Sequence, residues 1–148
     1  MPDFARSLAS GSKFRILYVG NDLEFTAKFR EAVSERVYRL VSGSDYGSLT
    51  LFLESDIHYD LMLIDHDWRG NEGLELVRLA RSQRKRKRMP IVLLSTASLD
   101  EETKALAQKE GVVECTLKTA DLSELVSRVI VAKHRRATRF RHRVKEES

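Results

Sequence analysis

The apolar residues of this chain come in short runs separated by amphipathic stretches, and the alternation is regular from end to end. Phe14–Val19 (FRILYV) is an apolar run with β-branched members, closed by Gly20-Asn21-Asp22, which reads as a strand and a turn. Asp22 is a candidate N-cap for a helix to about Arg36, whose stripe is Phe25, Phe29, Ala32 and Val33. Val37–Val41 reads as a second strand before the turn-rich SGSDYG, and Tyr46 to Leu53 as a second helix. Tyr59–Asp65 contains the unbroken run Leu61-Met62-Leu63-Ile64, which suits a strand buried on both faces. Glu72–Arg81 follows as a helix, with Leu76, Leu79 and Ala80 at helical spacing and Val77 widening the stripe. Pro90 opens a fourth strand, Ile91–Leu94, and a helix from near Asp100 stops at Gly111, a candidate C′ glycine. Val112–Leu117 reads as the fifth strand, and Asp121 or Leu122 starts the last helix.

Five βα units in one chain of 148 residues predict an α/β fold with a parallel sheet and helices on both faces. At this size the expected form is the flavodoxin-like (βα)5 doubly wound sheet, order 2-1-3-4-5. Residues 14–132 would make the domain, 1–13 a flexible lead, and 133–148 a basic extension of the last helix or a linker.

Charge changes this picture in one respect. The formal net charge of +4 hides a segregation: Arg84–Arg88 (RKRKR) holds five cations and Lys133–Lys145 seven with no acid, leaving an acidic body. Such segments can contact nucleic acid or another polyanion. A solvated loop and a linker are the plainer reading, and no helix-turn-helix pattern follows Phe140. The single cysteine, Cys115, excludes an intrachain disulfide and points to a reducing compartment. With no apolar run of membrane length and no secretory h-region, a cytoplasmic protein is expected.

In a sheet of this order the carboxyl ends of strands one, three, four and five converge, where open α/β sheets bind ligands. They carry Gly20-Asn21-Asp22, Asp65, Ser95 or Thr96, and Lys118. A carboxylate, a hydroxyl and an ammonium in one cleft suit a phosphoryl group: nucleophile, donor and charge-neutralising cation. Trp68 would be a partly exposed aromatic at the mouth, His66 a loop residue, and Cys115 a small buried hydrophobe. No G-x-G-x-x-G or Walker loop follows strand one, so a nucleotide-binding enzyme is not expected.

From Phe14 to Ala132 the chain resembles the receiver domains of two-component response regulators. Asp65 stands at the phospho-accepting aspartate, Glu72-Gly73 at the usual Asp-Gly, Thr96-Ala97 at the Thr/Ser-Ala after strand four, and Gly111 and Lys118 at the family's glycine and lysine. The resemblance implies that Asp65 accepts a phosphoryl group from a histidine kinase or phosphotransfer protein, with Thr96 and Lys118 binding its oxygens. It implies Mg²⁺ held by Asp65, Asn21 and either Asp22 or Asp67. Output would pass to a downstream domain or protein, or to a second copy through helix 4, strand 5 and helix 5. Any chemistry would be confined to phosphorylation and dephosphorylation of Asp65.

The sequence departs from that family at defined places. Gly20-Asn21 replaces two adjacent metal-binding acids, Asp22 comes one position late, Thr119 replaces a cis-proline after the lysine, and Cys115 replaces a switch aromatic. These departures favour a second reading, a phosphorylation-independent pseudo-receiver acting as a protein-interaction module. A third is an electrostatic nucleic-acid binder through the basic segments.

Overall fold

A computed structural model describes residues 14–33, 38–70, 72–119 and 121–128. Its elements are β1 (Phe14–Val19), α1 (Leu23–Ala32), β2 (Tyr38–Gly43), α2 (Tyr46–Glu54), β3 (Leu61–Asp65), α3 (Gly73–Ser82), a 3-10 turn (Arg84–Arg86), β4 (Ile91–Ser95), α4 (Glu101–Lys109) and β5 (Glu114–Leu117). Residues 122–128 are helical and form α5 as far as it is described. The strands make one parallel sheet in the order β2-β1-β3-β4-β5, the flavodoxin-like (βα)5 arrangement expected from the pattern.

Alternation within each strand builds two apolar layers. Leu17, Val19, Met62, Ile64, Ile91 and Leu93 face α2, α3 and α4, packing with Leu49, Leu53, Leu76, Val77 and Ala80. Ile16, Tyr18, Leu61, Leu63, Val92 and Leu94 face the other way, against Phe25 and Phe29 of α1 and Leu125 and Val126 of α5. Both faces are covered, which is why the strands read as solid apolar runs rather than alternating ones. Each fully buried side chain of this size stabilises the fold by roughly 1.5–3 kcal/mol.

Helix starts are set by carboxylates. Asp22, Asp45 and Asp100 each accept the amide hydrogen three residues on, from Phe25 at 2.9 Å, Ser48 at 2.7 Å and Thr103 at 2.7 Å. Helix α4 closes before Gly111, whose φ of +88° matches its expected place at C′.

Several boundaries differ from the pattern. Helix α1 ends at Ala32, short of Arg36, because Val33 turns extended as the cap; Ala32 itself is exposed, so the stripe is Phe25, Phe29 and Val33. Strand β2 runs on into Ser42 and Gly43, which pair with Tyr18 and Val19 of β1. Strand β5 begins at Glu114, since the amide of Val112 still bonds the Ala107 carbonyl. The expectations for 1–13, for the last helix beyond residue 128, and for Lys133–Lys145 lie outside the described residues.

The larger correction concerns Arg84–Arg88, which is not a uniformly solvated loop. Arg86 is 3% exposed. Its guanidinium donates to the carbonyls of Leu53 (3.1 Å), Phe52 (3.0 Å) and Ser55 (2.9 Å) and lies 5.0 Å from the centre of the Tyr59 ring. Helix α2 has no basic residue in its last turn. Arg86 supplies from outside the cation and the donors that this helix end needs. Lys85 pairs with Asp56 on the surface.

Candidate functional site

Asp65 ends β3 in the middle of the sheet, paired in register with Leu94 of β4, and is 3% exposed. Its Oδ2 accepts the Tyr18 hydroxyl hydrogen at 2.5 Å and lies 3.0 Å from Lys118 Nζ. The same ammonium is 2.9 Å from Asp22 Oδ2 and sits 5.7 Å over the Phe25 ring. Tyr18, Asp65, Lys118 and Asp22 thus form one polar chain across β1, β3, the end of β5 and the start of α1. Asp65 Oδ1, also buried, has no hydrogen-bond partner among the described residues. A buried carboxylate oxygen without a donor is costly, so this atom marks an incomplete polar site.

The electrostatics follow from burial. Desolvation raises the pKa of Asp65 above the usual carboxylate range, although Tyr18 and Lys118 pull against it and Asp67 adds repulsion. Burial alone would lower the Lys118 ammonium, but its two carboxylates outweigh that and hold its pKa up. Asp22 is held low, first by the Phe25 amide and then by Lys118. Burial, reinforced by Asp65, raises the Tyr18 phenol, which stays protonated and donates.

Gly20 makes this packing possible. It follows Val19, which pairs with Ile64, so it stands beside Asp65 across the β1–β3 register. A Cβ at position 20 would lie 2.2 Å from Asp65 Oδ2 and 2.4 Å from the Tyr18 hydroxyl. Gly73 is required for a related reason: a Cβ there would fall 2.6 Å from the Asp65 carbonyl oxygen, so α3 could not start so close to β3.

The other expected site residues are placed differently. Asn21 and Asp67 are exposed, and Asp22 is occupied as helix cap and Lys118 partner. Thr96 is exposed and lines, with Asp22, Lys118 and Leu122, a cleft of about 520 Å³ between α1 and the start of α5. No cis peptide occurs among the described residues, and Lys118 nonetheless reaches Asp65. Trp68 is not a partly exposed aromatic at the mouth. It is 3% exposed, its indole donates to the Ser44 carbonyl at 3.2 Å, and its ring meets Tyr46 edge-on at 4.9 Å. Arg69, at φ 49°, lays its guanidinium over both rings. Cys115 is half-buried, and burial raises its thiol pKa, which fits a packing role.

The residues present do not fit the Mg²⁺ site that the resemblance implies. No cluster of three or more metal-ligating side chains occurs among the described residues. Mg²⁺ demands octahedral, hard oxygen ligands. Here one buried carboxylate is available, and one of its oxygens already takes a hydroxyl donor and an ammonium.

Tyr18 is the residue of this site that the sequence pattern did not single out. The signal available was a hydroxyl-bearing aromatic in a strand buried on both faces, a position that needs a polar partner for its tip.

Of the basic surface, Lys87, Arg88 and Lys104 line a cleft of about 580 Å³ with Arg81. The Arg81 guanidinium donates to the carbonyls of Arg86, Met89 and Gly111, each at 2.7 Å, and so braces the two loops at that end of the sheet.

No protein-family model matches the chain, and no curated protein matches it. Solved structures do match. A CheY-like response regulator receiver domain protein from Methanospirillum hungatei JF-1 superposes with a TM-score of 0.72 at 18% identity, over 86% of this chain and 99% of that one. The Mn²⁺-bound form of the response regulator Rcp1 gives 0.62 at 22% identity, over 79% and 89%. A Burkholderia pseudomallei response regulator with a phosphorylated aspartic acid and a calcium ion gives 0.67 at 14%, over 86% and 72%. The chain therefore has the fold of response regulator receiver domains. No helix among the described residues is long and apolar enough to cross a membrane.

Proposed function

We propose that this chain is a receiver-fold signalling module that works through protein contacts, with Asp65 and Lys118 as its central pair and without phosphorylation. The observation that carries this reading is the saturation of Asp65 Oδ2 by Tyr18 and Lys118, while Asn21 and Asp67 are exposed. Transfer of a phosphoryl group to a carboxylate relies on cations to offset the charge that develops. Lys118 is one such cation, and its charge is already shared with Asp22. The partner in this reading is an output domain or another protein that docks on the surface around the strand ends. Divalent metal is not needed for it.

A second reading has a specific observation in its favour. Asp65 Oδ1 is unpartnered, and Thr96 shares a cleft with Lys118, so a phosphohistidine donor could be met by the set Asp65, Thr96 and Lys118. Incubation with a small phosphodonor such as phosphoramidate, in Mg²⁺, separates the two. Intact-mass measurement is expected to show no phosphoryl adduct on the wild-type chain. An adduct that Asp65→Asn abolishes would establish the phospho-acceptor instead.

A further inference from the structure

We propose that the Tyr18 hydroxyl takes the place of a divalent cation at Asp65, and that Gly20 is the residue that makes room for it. The proposal rests on the receiver-fold reading for the identity of the pocket, and on the geometry for its occupant.

The hydroxyl makes two bonds in opposite senses. It donates to Asp65 Oδ2 at 2.5 Å and accepts the Asp22 amide hydrogen at 3.4 Å. It therefore ties the turn between β1 and α1 to the end of β3, the two segments that a cation bound there would join. The ring reaches this point because Tyr18 shares the face of Ile16 and packs on Phe25 at 5.1 Å between centroids. From that anchor the phenol tip extends to the carboxyl end of the sheet.

Steric exclusion makes the exchange a paired one. With a Cβ at position 20 only 2.2 Å from Asp65 Oδ2 and 2.4 Å from the hydroxyl oxygen, an acidic side chain at 20 would push both the Asp65 carboxylate and the tyrosine hydroxyl from where they meet. The charge balance points the same way. Asp65 Oδ2 accepts a hydrogen bond from the hydroxyl and faces an ammonium at 3.0 Å, so a divalent ion at that oxygen would meet positive charge where it needs lone pairs. Tyr18 is thus a positioning residue that fixes the Asp65 carboxylate whatever the Mg²⁺ concentration.

Direct Mn²⁺ uptake, followed by the loss of the free-ion electron paramagnetic resonance signal, tests this on the full chain. The wild-type chain and Gly20→Asp are expected to show no saturable uptake at millimolar Mn²⁺. The double variant Tyr18→Phe/Gly20→Asp removes the hydroxyl and supplies an acid, and is expected to bind about tenfold or more tightly than either. If circular dichroism shows the double variant unfolded, Tyr18→Phe/Gly20→Asn replaces it, with a neutral oxygen ligand of similar reach and a smaller gain expected over the wild type. Saturable binding by the wild type would overturn the proposal. So would equal binding by Gly20→Asp and the double variant, or no gain in a folded double variant. The phosphodonor result is read separately, so a failure here is distinguishable from failure of the signalling reading.

Discussion

Replacing Arg86 with alanine is expected to lower the unfolding free energy by about 3 kcal/mol or more, whereas Arg84→Ala and Lys85→Ala should each stay within roughly 0.5 kcal/mol. The contrast arises inside one five-residue basic run. Arg86 is buried, and its removal takes the guanidinium donors from the carbonyls of Leu53 and Ser55 and leaves that of Phe52 with the Ser55 hydroxyl, at a covered helix end. Lys85 makes only an exposed ion pair with Asp56, of the kind that contributes little to stability. Arg86→Lys keeps the charge but loses the forked donor geometry and should retain only part of the stability. Urea denaturation read by circular dichroism measures all four. Equal midpoints would mean that the run is a solvated face after all.

The second large effect is an asymmetry within the central pair. Lys118→Met removes the cation from a nearly buried carboxylate and is expected to cost about 3–5 kcal/mol at neutral pH. Asp65→Asn removes the charge whose desolvation is not fully offset, and is expected to raise the midpoint instead. The sign with pH follows from the direction of the Asp65 shift. Its native pKa lies above its unfolded value, so the folded state binds the proton first as pH falls. The penalty of a buried, charged Asp65 is therefore absent below the ordinary carboxylate range and fully present above its raised native pKa. The advantage of Asp65→Asn should shrink accordingly on acidification through that window. Asp22 runs the other way: its lowered pKa gives stability that is present above the unfolded value and lost as pH falls through the native one. Stability curves of the wild type and Asp65→Asn across the acid range resolve the two. A variant less stable than the wild type at neutral pH would contradict the assignment for Asp65.

What the sequence disclosed was set by local pattern. The solid apolar run Leu61–Ile64 ending in Asp65 identified the central strand and its terminal carboxylate, and the N-cap carboxylates identified helix starts, because both are read within one element. Lys118 was legible for the same reason, as the cation closing the fifth apolar run, and it does reach Asp65. Tyr18 was not, because its role depends on the β1–β3 register and on an absent Cβ at Gly20, neither of which periodicity reveals. Arg86 was hidden in a charge run, its carbonyl partners lying 31 to 34 residues away along the chain. Trp68 read as a mouth residue because its position in a glycine-bearing loop suggested exposure; the Ser44 carbonyl and the Tyr46 ring bury it. Expectations built on matching positions placed Asn21, Asp22 and Asp67 around a metal; in the structure Asn21 and Asp67 are exposed, and Asp22 caps α1 and pairs with Lys118.

Trp68 is the only tryptophan and follows Asp65 by three residues, so its emission reports on the loop that leaves β3. The most direct measurement is a titration with Mg²⁺ followed by beryllofluoride, which imitates an acyl phosphate, with Trp68 emission and the thermal midpoint read together. An Asp65 carboxylate held by Tyr18 and Lys118 without metal predicts that neither signal changes at millimolar Mg²⁺ or after the fluoride is added. A saturable change in the wild type that disappears in Asp65→Asn would contradict it and make Asp65 a working phospho-acceptor.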